Sequence, residues 1–206
     1  MENLKAVEEK ISINGIPGNA DVSPVLTLVF ATLCFSFWAN SMGFLKDGAV
    51  LAIGVLQLGV FVTYTVGGLI LISRGNAFGG NTFLIFATIF GGVGGLTHVG
   101  MTIAAANNIP FDYTICGIAF IMAGLFLLFM VPGLKYAPKT DFLSFLFGGL
   151  GVLGYGLTGA GLAPGSLNIF AAWCLFIDGV VGFYSVIVLM LNFLGLNLSL
   201  GKPFFK

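Results

Sequence analysis

"LAIGVLQLGVFVTYTVGGLILISRGNAFGGNTFLIFATIF", residues 51–90, holds two long apolar runs separated by a short polar turn. The turn carries Arg74, the single arginine of the chain, with Gly75, Asn76, Gly79, Gly80 and Asn81 close behind it. A helix needs about 20 apolar residues to cross the hydrocarbon core of a bilayer. The runs on both sides reach that length, and so short a connection makes the two helices antiparallel. The stretch reads as a membrane hairpin, with a glycine-rich turn at the water interface.

The same pattern continues in both directions. Six runs of sufficient length are bounded by charges, Pro, Gly or Asn, at 24–45, 48–73, 81–103, 111–131, 141–160 and 167–194. Of the 206 residues, 58% are hydrophobic and only 8% charged. A soluble domain carries about 25% charged residues, so this chain lacks the polarity to coat itself for water. Mean hydropathy is +1.06. The expected fold is an all-α membrane protein, a six-transmembrane-helix bundle occupying 24–194, with tails at 1–23 and 195–206. Its expected location is the cell membrane, as a multi-pass integral protein.

Basic residues set the orientation. In a six-span arrangement Lys5, Lys10, Arg74, Lys135, Lys139, Lys202 and Lys206 fall on one side and Lys46 on the other. Both termini are therefore expected to be cytoplasmic, and the Arg74 turn with them. Gly75 and Asn76 would stop the second helix, and Asn81 or Thr82 would cap the third. Trp38 and Trp173 fall toward the outer interface, where amphipathic rings anchor helices. In the N-terminal tail, Leu4, Val7 and Ile11 recur at helical spacing between charges. That segment reads equally as a short interfacial helix or as a polar tail.

Several chemistries are excluded at this stage. Net charge is zero without a basic block, so nucleic acid has no electrostatic footprint to meet. Cys34, Cys116 and Cys174 lie inside apolar runs without CxxC spacing, which gives neither a disulfide framework nor a zinc site. Intramembrane aspartyl proteolysis needs two acids where one is present, and no Ser–His or HExxH arrangement occurs. Haem would need a second axial ligand that no spacing singles out. The chain is expected to be neither an enzyme nor a cofactor or metal protein.

The residues with chemical potential are few. Glycine is abundant, with 31 residues, among them Gly91, Gly92, Gly94 and Gly95 in the third span. Small residues let membrane helices approach closely; alternatively, glycines near the midplane loosen a helix and release backbone amides for an anionic solute. Asp178 is the acid deep within a span, about 15–17 Å along the sixth helix. At that depth a carboxylate costs roughly 2.5–3.5 kcal/mol on insertion scales. It must face the bundle or a wet cavity, either as a proton carrier or as an acid buried between helices. His98, the single histidine, reads as a proton relay or as a packed side chain. Asn40, Gln57, Ser41, Tyr155 and Thr158 either line a path or tie helices together. With 22 phenylalanines, some can form an apolar neck that gates by dewetting.

"RGNAFGGNTF" at 74–83 resembles the Gly-Asn-Thr-Phe-Gly signature of the acetate uptake transporter family, the succinate–acetate permeases. Gly75, Asn76, Phe78 and Gly79 carry the likeness. "NSMGFLKDG" at 40–48 resembles the family's join of helices 1 and 2, and "AAWCLFIDGVVGFYSVIVLMLN" at 171–192 its last helix. The family's N-terminal Asn-Pro-Ala-Pro-Leu-Gly-Leu motif is eroded here to Asn19 and Pro24, and Asp178 stands where relatives carry a small or neutral residue. The resemblance implies a transporter or channel for acetate and related small monocarboxylates, sometimes succinate, linked to protons and assembled as a hexamer. It places Phe30, Phe86 and Phe147 at a hydrophobic constriction and Asn40 near the outer mouth; Tyr155 and Thr158, read from their hydroxyls inside the fifth span, are the further candidates for the substrate path. Asp178 and His98 are the proton-coupling candidates. A channel for small neutral solutes, or a structural or sensory membrane protein of the same fold, are the alternatives. No span contains a Lys or Arg, so a permeating carboxylate would meet amides, hydroxyls and helix N-termini in an uncharged conduit.

Overall fold

The computed structural model describes residues 21–205. The tail positions Leu4, Val7 and Ile11 lie outside them. Within this range the protein is helical, with no strand among the described residues. Six helices are long and apolar enough to cross a membrane: α1 Ser23–Ser41, α2 Ala49–Ser73, α3 Ala77–Ala106, α4 Thr114–Leu134, α5 Lys139–Gly159 and α6 Leu167–Phe193. The six-helix bundle read from the apolar runs is the architecture found. Each helix packs on the next, and α1 packs on α6, so the six close into a ring around a shared interior.

The Arg74 turn works differently from its sequence reading. Gly75 adopts φ +83°, which closes α2. The Gly75 amide donates to Ile72 O at 2.9 Å and the Asn76 amide to Leu71 O at 3.0 Å. This left-handed cap satisfies the last carbonyls of the helix. Asn76 then caps α3 at once, its side chain accepting from the Gly79 amide at 2.9 Å. Asn81 and Thr82 are not the cap. They lie inside the first turns and hydrogen-bond back to Ala77 O and Phe78 O, at 2.8 and 2.9 Å. The helix starts early because the cap leaves Asn76 outside helical dihedrals, at φ −84° and ψ 73°, with its side chain free for the orphan amides.

α3 does not break at its glycines. It widens into a π-helical stretch over Ala87–Gly94 and continues as α-helix from Gly95. Gly91 sits against the Phe61 backbone, where a Cβ would lie 2.5–2.6 Å from the Phe61 N, Cα and Cβ, and Gly95 meets Leu58. Close packing of α3 on α2 is therefore what these glycines do. The widened turn also presents Phe90 O to the buried Gln57 side chain, whose Nε2 donates to it at 2.8 Å. Such wide turns recur at functional sites.

The outward faces are apolar: Val55, Val62, Val66 and Leu69 on α2, Ile115, Ile118 and Met122 on α4, and Phe183 and Ile187 on α6 are all exposed. In a chain this short of charge, such a surface is solvated by lipid, and the protein is an integral multi-pass membrane protein. After α6 the chain folds back beneath the bundle. Asn192 Nδ2 donates to Leu198 O, Asn192 Oδ1 accepts from the Leu198 amide, and Phe204 packs on Phe142.

Candidate functional site

Two vestibules enter the ring from opposite ends. The first, at the end bearing Arg74, has a volume of about 350 Å³, with Asn76, Thr82 and Ser144 in its wall and Phe30, Phe86 and Leu127 among its lining residues. The second, at the opposite end, measures about 370 Å³; Thr97, His98, Tyr155, Thr158 and Asn168 supply its polar groups. The second takes its polarity from hydroxyls, an amide and one imidazole; the first combines hydroxyls and an amide with the carboxyls of Asp21 and Asp141. No lysine or arginine lines either.

Between them the interior is closed. Phe30, Leu33, Cys34, Phe37, Phe90, Phe120, Val152, Tyr155 and Leu175 surround a void of about 20 Å³. That is room for about one water molecule and not for a two-carbon acid. Phe30 borders both the void and the first vestibule, and Phe37 both the void and the second. Seven residues of α1 separate them, so the sealed neck is roughly 10 Å long. The rings form a connected column. Phe30 stacks on Phe86 at 6.4 Å between centroids, Phe86 meets Phe90 at 5.0 Å, and Phe90 meets Phe120 at 5.3 Å. Phe120 reaches Phe37 at 6.4 Å, and Phe37 reaches Tyr155 at 5.5 Å. The conduit expected from the sequence is thus interrupted at its centre by aromatic side chains, and it is free of cations rather than uncharged, since Asp21 and Asp141 line its first mouth.

The candidate residues divide accordingly. Phe30 and Phe86 meet in the neck, and Tyr155, Thr158 and His98 share the second vestibule. Phe147 does not join them; Phe145 lines the first vestibule instead and stacks on Phe78 at 5.8 Å. Two residues along a helix turn the side chain by about 200°, so a register slip of two reverses its face. Asn40 is exposed and lines neither vestibule, whereas its neighbour Ser41 turns inward to pair with the Tyr155 hydroxyl. Of the signature turn, Asn76, Phe78 and Gly79 border the first vestibule and Gly75 forms the bend.

Asp178 is fully buried, and neither carboxyl oxygen has a hydrogen-bond partner among the described residues. It borders none of the three cavities. Its Oδ2 lies against Gly148 of α5, where a Cβ would strike it, and the tip of the Phe30 ring crowds the same glycine. The acid therefore stands directly behind the neck. Ser144, one turn before Gly148, is its polar neighbour and also lines the first vestibule. His98 makes no contact with it; the His98 Nδ1 pairs with Gln57 Oε1 at 2.6 Å. Phe37, Phe90 and Phe120 were not singled out from sequence. The seven-residue spacing of Phe30 and Phe37 and the four-residue spacing of Phe86 and Phe90, each placing two rings on one helix face, were the available signals.

No protein-family model matches the chain, and no curated protein matches it. Among solved structures it is similar to the bacterial acetate channel SatP, with a TM-score of 0.68 and 20% sequence identity over 85% of this chain and 94% of that one. The two share a fold over nearly their whole length.

Proposed function

We propose that this protein is a membrane channel or transporter for acetate and related small monocarboxylates, of the acetate uptake transporter type. The observation that carries the reading is the pair of hydrogen-bonding vestibules, free of lysine and arginine, closed off from each other by a short aromatic neck, within a fold shared with an acetate channel. A lysine or arginine in the path would hold a carboxylate too tightly to release it. Hydroxyls and amides offer donors strong enough to replace water and weak enough to let go. At the neck the solute loses its remaining water while the rings swing aside. The sealed apolar wall favours passage of the undissociated acid over the bare anion, because a charge pays a far larger desolvation cost there. In this reading the termini and the Arg74 end face the cytoplasm, the protein sits in the cell membrane, and copies assemble as a homo-oligomer, a hexamer by the resemblance. Succinate, a longer acid, would meet the same donors.

Purified protein in liposomes is expected to move labelled acetate down its gradient well above protein-free vesicles. Absence of that flux, with folding verified, overturns the reading. Voltage-clamped measurement separates the permeating forms: acetate flux without current supports the undissociated acid, and a matching current supports the anion.

Proton linkage is assigned to Asp178, on its burial without a partner behind the neck and its proximity to Ser144 of the first vestibule. Asp178→Asn keeps the shape and removes the exchangeable carboxyl. It is expected to flatten the pH dependence of acetate uptake while leaving assembly intact. An unchanged pH profile would return Asp178 to a purely structural role.

A further inference from the structure

We propose that His98 is a pH-dependent binding site for a small carboxylate in the second vestibule, with its free Nε2 as the atom that binds. The inference deepens the transport reading and rests on it for the class of ligand.

The geometry fixes the tautomer. Phe90 O can only accept a hydrogen bond, so the Gln57 amide must turn its Nε2 toward it, and the distance is 2.8 Å. The other end of the same amide, Oε1, then faces His98 Nδ1 at 2.6 Å. An amide oxygen can only accept, so Nδ1 carries the proton. Gln57 is fully buried and held from both sides, and it cannot flip without leaving two polar atoms unsatisfied. The neutral ring is therefore protonated on Nδ1 and bare on Nε2.

The Nε2 atom has no partner among the described residues, and it is not one of the sealed polar atoms. His98 lines the second vestibule, so this nitrogen is the ring's open edge toward the cavity. Its neighbours in the wall are already engaged. The Tyr155 hydroxyl donates to Phe37 O at 3.1 Å and pairs with Ser41, and Thr158 pairs with Asn168. In neutral imidazole Nε2 is an acceptor and repels a carboxylate oxygen. In imidazolium it becomes a charge-assisted donor. Both forms donate from Nδ1, so protonation leaves the contact to Gln57 and the π-helical turn untouched. What changes is the sign of one atom facing the cavity.

The groups that surround it leave the imidazole as the switch. α4 contributes the thiol of Cys116, the residue just before α4 is Tyr113, and α5 contributes Tyr155; α6 contributes the amide of Asn168, α1 Phe37, and α2 Gln57. None of these is a carboxylate or an ammonium. Tyrosine and cysteine stay neutral where histidine ordinarily titrates.

With one histidine in the whole chain, imidazole resonances are unambiguous. The test uses the full chain, labelled at histidine nitrogen, in nanodiscs, with sodium acetate as probe and sodium chloride as control. At high pH the ring should show a protonated Nδ1 and a bare Nε2, and at low pH acetate should perturb Nε2 while chloride at equal concentration does not. Acetate affinity should weaken about tenfold or more as pH rises through the imidazole titration range, and His98→Gln, which keeps a donor toward Gln57, should bind with the same affinity throughout. A neutral ring protonated on Nε2, or acetate binding independent of pH in the unaltered protein, overturns the proposal. The liposome assay separates it from the transport reading. Acetate flux together with pH-independent binding would sink the His98 site alone, and an acetate-sensitive Nε2 in a protein without flux would sink transport alone.

Discussion

Gly124→Val is expected to prevent the bundle from assembling. A Cβ at Gly124 would lie 2.5–2.7 Å from the backbone N, Cα and Cβ of Leu153 on α5. The reciprocal contact is as tight: a Cβ at Gly156 would meet the Ile121 amide nitrogen at 2.5 Å and the Phe120 carbonyl carbon at 2.8 Å. Backbone atoms cannot rotate away, so α4 and α5 must separate by about an ångström along one of the most extensive helix pairs in the ring. Packing dispersion is what holds helices together in lipid, where no hydrophobic drive brings them close. Ordinary overpacking costs about 1–3 kcal/mol, and a branched side chain against a backbone lies at or above the top of that range. Gly59, exposed on α2 with nothing within 4 Å of its Cβ direction, is the control. Gly59→Ala is expected to leave the bundle as stable or slightly more so, since alanine is the better helix former by about 1 kcal/mol. Thermal unfolding in detergent, with the monodisperse yield, reads both. Equal stability of Gly124→Val and the unaltered chain would refute the close approach of α4 and α5.

The same contact shows what the sequence could and could not disclose. The number of helices follows from apolar length alone, because a bilayer has one thickness and a helix one rise per residue. The Arg74 hairpin was readable because a turn needs residues with special dihedrals, and Gly75 supplies one. Which residue caps the next helix was less readable: Asn76, Asn81 and Thr82 are all competent, and only the left-handed bend at Gly75 decides among them. Inside the bundle the difficulty grows. Polar residues face the interior for a reason hydropathy captures, so His98, Tyr155 and Thr158 were visible. Phenylalanine suits lipid and interior equally, so 22 of them give no sign of which form the neck. Phe86 stands ten residues beyond the sharp Asn76 cap, whereas no comparable marker precedes Phe147, and Phe145 takes the vestibule face of α5. The partnership of Gln57 with Phe90 O and His98 spans about two helix turns of α3 and a π-helical widening, which no local pattern encodes.

Phe86→Ala is expected to raise acetate flux about tenfold. Phe86 touches Phe30, Phe90 and Phe126, with centroids 6.4, 5.0 and 6.4 Å away, and so links the lower rim of the neck to its centre. For a solute to pass, these rings must leave their packed rotamers together. Each displaced side chain costs about 0.5–1.5 kcal/mol off its rotamer minimum, and removing about 1.4 kcal/mol from a barrier raises its rate tenfold. The deletion also enlarges the first vestibule, which Phe86 lines, toward Phe30 and Phe90, the two ring contacts of Phe86 that border the void of about 20 Å³. Water can then follow the solute further in, which lowers the cost of desolvation. Stability should fall at the same time, since loss of a buried phenylalanine costs about 3–5 kcal/mol. That opposite movement is diagnostic, because simple damage lowers flux and stability together. Val152→Thr offers the gentler version, placing a hydroxyl in the wall of the void with little change of volume. It is expected to raise flux in the same direction by wetting the neck. Labelled acetate uptake into liposomes, normalised to folded protein, reads both variants. Flux unchanged in a folded Phe86→Ala protein would mean that acetate crosses by a route that avoids the aromatic column.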